Sequence, residues 1–356
     1  MTTPAEACAT EPGDHALPAP DGQRGPEAHP GAEAHPGPDA QPGPEAQAGR
    51  PARVAVIGAG AIGGVLAEAA CDAGHEVTLC VRTPVPRLVI VRHGKPRTVP
   101  VRILTGDDPA GGEQETAGVR PGSATADWIL LATKAHQTAS ARPWIDRLAG
   151  PGTVVVVVQN GVDHAARAAS LAAPGPVLPA LIYVAARRTT PGRIRHQWGH
   201  RVVVPQGEHG AALATLLVGS GLQVEQEADF QTAAWRKLLS NVAANPITAL
   251  TTRTLSVLGD PDVRALAEGL LAEAVAAAGA EGARLSAADI GATMDLYDGL
   301  SPDVGTSMLE DRQAGRPTEH DLISGAVVRA ADRHGLDAPL NRAVLTLLAA
   351  SSPPAT

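Results

Sequence analysis

The sequence predicts an α/β fold, a doubly wound and mostly parallel sheet followed by an all-helical part. Three observations carry this. Residues 53–81 read strand, glycine turn, helix, strand. The apolar runs at 128–131 and 154–158 are unbroken, as in strands buried on both faces of a parallel sheet. Beyond about Ala228 long Ala- and Leu-rich helical patterns replace the strands. The chain therefore divides into a tail (1–52), an α/β part (53–228) and a helical part (229–350).

The tail is rich in Pro, Gly, Ala and acids and nearly empty of large aliphatics, so it is expected to be disordered. A six-residue unit, Gly25-Pro-Glu-Ala-His-Pro30, recurs from Gly31, Gly37 and Gly43. It lacks the inward aliphatic of a β-helix and reads as an extended spacer.

In 53–81, Val54, Val56 and Ile57 supply the first strand, and Gly58-Ala59-Gly60-Ala61-Ile62-Gly63 follows at the spacing G-x-G-x-x-G. Gly58 permits the tight turn, Gly60 admits a pyrophosphate close to the backbone, and Gly63 lets the helix at 62–73 pack on the strand. The amides at that helix N-terminus then face phosphate. In a chain with 38 glycines the motif alone says little. Its place in a βαβ unit, closed by a strand at 76–81, makes it a dinucleotide cradle of the Rossmann type. An NAD site would put an acid at the end of that second strand, where this chain has Cys80, Val81 and Arg82. A guanidinium matches a 2'-phosphate, so Arg82 points to NADP(H); the alternative is a solvated Arg after a strand.

Apolar runs at 88–91 and 99–104, split by His93-Gly94-Lys95, predict a hairpin, and a polar, Gly-rich loop covers 107–124. The two buried strands that follow end at Thr133-Lys134 and at Gln159-Asn160-Gly161. Ligands of open α/β sheets bind at the carboxyl ends of strands, which makes Lys134 and Asn160 candidate site residues. A strand over 177–184, an antiparallel pair at 193–197 and 201–204, a helix at 213–218 and a last strand at 222–225 complete this part.

The helical part opens with a helix expected over 232–250, disturbed at Asn245-Pro246 because proline lacks the amide hydrogen. Trp235, Leu238, Leu239 and Val242 form its apolar face, and Lys237, Asn241 and Asn245, spaced by four, form one adjoining stripe. Two readings of that stripe stay open: a polar strip in a cleft, or a solvent-facing Lys with two incidental amides. Asp260-Pro261 opens the next helix as N-cap and first-turn proline, running toward Ala278. Thr318 is expected to cap another helix, which Gly335 ends. Glu319, just after Thr318, reads locally as a complement to the helix dipole.

Composition bounds the function. The net charge is −8, most of it in the tail, and aromatics are 2%, so no nucleic-acid partner is expected. Cys8, Cys71 and Cys80 form no metal-ligand or disulfide pattern, which fits a reducing cytoplasm without a metal site. Neither a secretory signal nor an 18-residue apolar run is present, so no membrane span is expected.

Together the motifs resemble the ketopantoate reductases (2-dehydropantoate 2-reductases). The matching pieces are 58–63, Gly74-His-Glu-Val77 leading to Arg82, Ala132-Thr-Lys-Ala135, Gln159-Asn-Gly161, Trp235-Arg-Lys-Leu238 with Asn241 and Asn245-Pro246, and Ser307-Met-Leu309 with Arg316-Pro-Thr-Glu319. They occur in the family's order over 53–348. The resemblance implies an NADP-binding Rossmann domain, a helical domain like that of the 6-phosphogluconate dehydrogenases, and an active site in the cleft between them. It implies NADPH-dependent reduction of a 2-oxo acid, ketopantoate, for pantothenate biosynthesis, by a monomer or homodimer. Carried onto this chain, it implies Lys237 as the general acid and Glu319 as an anchor for the substrate hydroxyl. Asn160, Asn241, Asn245 and Ser307 would orient the substrate, Arg82 would hold the 2'-phosphate, and Lys134, like the 58–63 turn and Asn160, would lie close to the cofactor. The chain departs from the family pattern at Val304 and near Thr254-Leu255, where asparagines are expected. A reductase of another 2-oxo acid and a non-catalytic NADP(H) sensor are the alternatives.

Since the tail's composition supplies no ordered site, a chain beginning at Pro51 is expected to fold and turn over like the full-length protein. A large fall in kcat on truncation would contradict this.

Overall fold

The computed structural model describes residues 50–106 and 125–351, so the expectations for most of the tail and for the loop at 107–124 lie outside the described residues. The α/β part begins β1 (Arg53–Ile57), α1 (Ala61–Asp72), β2 (Glu76–Val81), β3 (Leu88–Arg92), β4 (Lys95–Val99), β5 (Arg102–Thr105) and β6 (Trp128–Leu131). It continues through α2 (Arg142–Leu148), β7 (Val154–Val157), α3 (His164–Leu171), β8 (Val177–Pro179), β9 (Leu181–Thr190), β10 (Arg193–Pro205), α4 (Glu208–Leu216) and β11 (Gln223–Glu227). Helices α5 (Phe230–Val242), α6 (Ala244–Thr251), α7 (Pro261–Ala280), α8 (Ala287–Asp298), α9 (Ser307–Gln313), α10 (His320–His334) and α11 (Pro339–Ser351) follow.

The first sheet has the order β5-β2-β1-β6-β7-β8, and every pairing in it is parallel. Alternation along β1 explains why the strands are apolar throughout. Val54 and Val56 face α1 and the second sheet, while Ala55 and Ile57 join Trp144, Ile145 and Leu171 in the core on the opposite face. The second sheet is organised by β10. Its first residues pair with β3 and its last five with β11, both parallel, and β9 runs antiparallel to it. Helix α1 packs against this sheet so closely that a Cβ on Gly64 would lie 1.9 Å from Ile194 Cδ1. Glu68 of α1 is buried and accepts from Arg92 and Arg97 of the β3–β4 hairpin at 2.7 and 3.0 Å, which satisfies a charge that burial would otherwise penalise.

Several local expectations are corrected. The second strand of the hairpin is Lys95–Val99, not 99–104: His93 and Gly94 both adopt positive φ, 48° and 72°, and this two-residue turn sets Arg92 opposite Lys95. Residues 102–105 are thereby free to pair with β2 as the edge of the parallel sheet. The antiparallel pair expected at 193–197 and 201–204 is a single strand, β10; its polar stretch around Gly199 is a site of register irregularity, not a turn. The partner is β9, and the run expected as one strand over 177–184 is divided between β8 and the start of β9, which continues to Thr190.

A further correction lies in the helical part. The helix expected over 232–250 breaks at Ala243 (φ −101°, ψ −55°), ahead of the proline. Pro246 is then the third residue of α6, where a first-turn amide has no helical partner to lose. The buried Tyr297 hydroxyl of α8 enters the break: it accepts from Ala244 N at 3.4 Å and reaches Leu239 O at 3.1 Å and Ser240 O at 3.2 Å. Asp229 caps α5 by accepting from Thr232 N, and Asp260 caps α7 as expected. Helix α10 is preceded by Glu319 as its N-cap residue; Thr318 instead pairs its hydroxyl with His320 Nδ1 at 2.8 Å, while Gly335 ends the helix in the left-handed region as expected. Among the described residues no helix is long and apolar enough to cross a membrane.

Tyr297→Phe removes the hydroxyl from the α5–α6 break and is expected to lower the unfolding free energy by about 1–2 kcal/mol. Urea denaturation measures this; an unchanged midpoint would mean the break holds without it.

Candidate active site

The carboxyl ends of the parallel strands form one rim, and the glycine turn opens it. Gly58 sits at φ +107° and its amide donates to Cys80 O at 2.9 Å, pinning the turn to the end of β2. Arg82, exposed, follows two residues later. A Cβ on Gly63 would lie 1.9 Å from Gly58 O, so that glycine answers an internal contact. On Gly60 the nearest heavy atom would be 3.8 Å away, which leaves its face open to a ligand. Helix α1 starts directly after Gly60 with no side-chain cap and no acid in its first turn, so its amides suit an anion. These features fit the diphosphate of a dinucleotide.

Beyond β6 and β7 the rim carries charge. Lys134 follows β6 and Asn160 follows β7, and both meet Glu319 at the start of α10. Lys134 Nζ donates to Glu319 Oε2 at 3.3 Å and to Asp311 Oδ2 at 2.9 Å, and Asn160 Nδ2 donates to Glu319 Oε2 at 3.2 Å. The Ala135 amide donates to the other oxygen, Oε1, at 3.5 Å. Burial would raise the Glu319 pKa, but the Lys134 ammonium and these hydrogen bonds outweigh it and hold the carboxyl below its ordinary range. Burial likewise works against a charged Lys134, and Glu319 and Asp311 outweigh it in the other direction. The loops are braced from behind: Gln159 Nε2 donates to Thr133 O at 3.1 Å, and Arg167 donates to Asn160 O at 2.5 Å.

The α5 stripe faces this rim. Lys237 and Asn241 line a small cavity together with Asn160, Gly161, Leu181 and Ala234. Burial pushes Lys237 down from 10.5 to about 8, with Glu319 opposing the fall and Arg201 adding to it. The ammonium lies 5.0 Å from the centre of the Tyr183 ring. Asn245, buried beyond the Ala243 break, points Nδ2 at Ser307 Oγ, 3.5 Å away at the start of α9. Of the two readings of the stripe, the geometry thus favours the cleft.

Lys134, Asn160, Glu319, Lys237 and Asn241 therefore converge, Asn245 and Ser307 pair further along, and Arg82 stands apart by the glycine turn. Glu319 does more than complement a dipole, since its carboxylate joins the sheet loops to the helical part. Asp311, Arg167 and Tyr183 were not singled out by the sequence. None belongs to a periodic stripe or a glycine motif, and only the neighbouring Ser307-Met-Leu309 segment hinted at Asp311. The two positions that depart from the family pattern adjoin one another, Leu255 N donating to Val304 O at 3.0 Å.

Comparison with known proteins bears on the family and the fold. Residues 54–209 match the family described as ketopantoate reductase PanE/ApbA, and residues 229–352 match its C-terminal domain. The chain is 38% identical over 300 residues to a 2-dehydropantoate 2-reductase of Mycobacterium tuberculosis, covering 84% of this chain and 97% of that one. Among solved structures, a dimeric ketopantoate reductase from Staphylococcus aureus is similar with TM-score 0.74 and 26% identity, covering 84% of this chain and 98% of that one. A D-mandelate dehydrogenase solved with NADH and anilino(oxo)acetate shares the fold, with TM-score 0.73 and 23% identity over 84% of this chain and 98% of that one.

The ion pair has a pH signature. Glu319 titrates below its ordinary 4.5 in the folded state, so its contribution to stability is present above that pH and is lost as the pH falls. Lys134 titrates above its ordinary 10.5, so its contribution is present below that pH and is lost as the pH rises. Glu319→Gln is therefore expected to flatten the acid side of the stability curve from about pH 4.5 downward. Urea titrations across that range test it, and an acid limb as steep as wild type would refute the assignment.

Proposed function

We infer the reaction from one premise: this chain belongs to the ketopantoate reductase family. The reading is a reductase that turns ketopantoate into pantoate, a step of pantothenate biosynthesis, with NADPH as the reductant. The observation that carries it is Lys237, a lysine brought down to about 8 inside a cavity that it shares with Asn160 and Asn241.

A nicotinamide nucleotide held by the 58–63 turn would supply the hydride. Everything else is asked of the chain. As the carbonyl carbon becomes tetrahedral its oxygen acquires negative charge, and Lys237, still mostly protonated at neutral pH, polarises that oxygen and then gives it a proton. The product is the 2-hydroxy acid, and the lysine is left neutral until it recovers a proton from water. Asn160, Asn241, Asn245 and Ser307 orient the substrate, and Glu319 accepts from its hydroxyl. Lys134 would lie close to the cofactor, and it keeps Glu319 ionised.

The fold does not choose the nucleotide, since the D-mandelate dehydrogenase of the same fold was solved with NADH. Arg82, exposed at the end of β2 where an NAD site would carry an acid, supports NADP(H). The free thiols Cys71 and Cys80 suit the reducing cytoplasm to which we assign the protein.

Lys237→Ala is expected to leave NADPH binding near wild type while slowing reduction of ketopantoate by at least about 10²-fold, because the ammonium acts chiefly in the transition state. Turnover within a few-fold of wild type would instead favour a nucleotide sensor. For Arg82→Asp, fluorescence titration should show weaker NADPH binding and a narrowed or reversed preference over NADH. Equal affinity of the wild-type protein for both nucleotides would refute that assignment.

A further inference from the structure

Lys237 does not lie in the cavity alone. Its ammonium is 5.0 Å from the centre of the Tyr183 ring, and the Arg201 guanidinium carbon is 4.3 Å from the centre of the same ring. The arrangement is built into the sheet, for Tyr183 on β9 and Arg201 on β10 are cross-strand partners in the antiparallel register. Helix α5 packs on these two strands through Ala234, which meets Leu181 and Val203 in a small apolar cluster with Tyr183 at its edge. Lys237 follows Ala234 by three residues and so emerges over the ring. Among the described residues the ammonium has no hydrogen-bond or ion-pair partner, and the ring face lies within cation–π range of it.

We propose that Tyr183 is a positioning residue for Lys237, holding its ammonium over the ring, and that Arg201, seated on that ring, sets how readily the ammonium gives up its proton. The aromatic face attracts a cation and favours the charged lysine. The nearby guanidinium repels it and favours the neutral one, an effect that Glu225 of β11 tempers by pairing with Arg201 Nε at 3.0 Å. From the helical part Glu319 opposes Arg201, and Arg236 on α5 itself adds positive charge toward the ring. The two neighbours on the sheet therefore pull the lysine in opposite directions.

This rests on Lys237 being the proton donor, but it can be tested without relying on catalysis. The chain has three lysines, Lys95, Lys134 and Lys237. With ε-¹³C-labelled lysine, NMR therefore shows few signals, and the one missing from Lys237→Met identifies Lys237. Tyr183→Leu keeps the apolar bulk but removes the ring, and should lower the Lys237 pKa by about half a unit to one unit. Arg201→Gln should raise it, by about 0.3 unit or more. Tyr183→Phe, which keeps the ring, should restore the wild-type titration. The high-pH limb of kcat/KM for ketopantoate reduction should move with each titration. Shifts in the same direction for Leu and Gln, no shift in either, or no rescue by Phe would overturn the proposal. Failure of the donor reading would look different: Lys237→Met would keep near-wild-type turnover whatever the NMR titrations showed.

Discussion

The cleft depends on one buried charge, the carboxylate of Glu319. An ionised carboxylate away from water is costly unless it is paired and hydrogen-bonded, and the chain meets that cost from the far side of the cleft. Lys134 comes from the loop after β6, Asn160 from the loop after β7, and the Ala135 amide from the residue following the lysine. Asp311 of α9 takes a second bond from Lys134 and is itself bound by Arg316 at 2.8 Å. The parallel sheet and the helical part thus meet at a network with charge on both sides. Removing either the lysine or the glutamate would leave its partner buried with fewer contacts, so the two sides of the active site are energetically coupled.

The same side-chain type is tuned in opposite directions a short way apart. Lys134 has two carboxylates and is held charged; Lys237 is brought down to about 8 by burial, with the nearby Arg201 guanidinium adding to the fall. Only the surroundings differ. An Arg could take neither a proton nor a neutral state at these pH values, which gives a reason for lysine at Lys237 in a chain whose other cations are overwhelmingly Arg. The division of labour follows: one cation fixes the carboxylate, and the other is free to exchange a proton.

Much of this was legible in the residues. The glycine turn, the unbroken strands and the change of texture near Ala228 describe local geometry, and local geometry is what periodicity and steric demand encode. The position of Lys134 and Asn160 followed from strand ends, and the stripe of Lys237 and Asn241 from helical spacing. What could not be read was set by partners distant in sequence. Asn245-Pro246 announces a disturbance of this helix but not that it breaks at Ala243, because the hydroxyl that enters the break belongs to Tyr297 on another helix. The length of β10 was hidden because the irregularity at Gly199 looks like a turn until β9 is seen beside it. Tyr183 carries no local signature, and Asp311 has only the neighbouring segment 307–309 to hint at it.

The geometry of Glu319 also bears on how one carboxylate can serve two ends. A carboxylate offers about four acceptor sites. Here three bonds arrive from the protein, from Lys134, Ala135 and Asn160, two of them on Oε2 and one on Oε1. Room for one further donor remains on Oε1, the oxygen that carries only the long bond from the Ala135 amide. A substrate hydroxyl can therefore be accepted without breaking the lock between sheet and helices. Should that hydroxyl approach Oε2 instead, Lys134 is the donor able to yield, since it keeps Asp311 at 2.9 Å and is not stranded. Asp311, which does not line the cavity, thus keeps Lys134 partnered in either case.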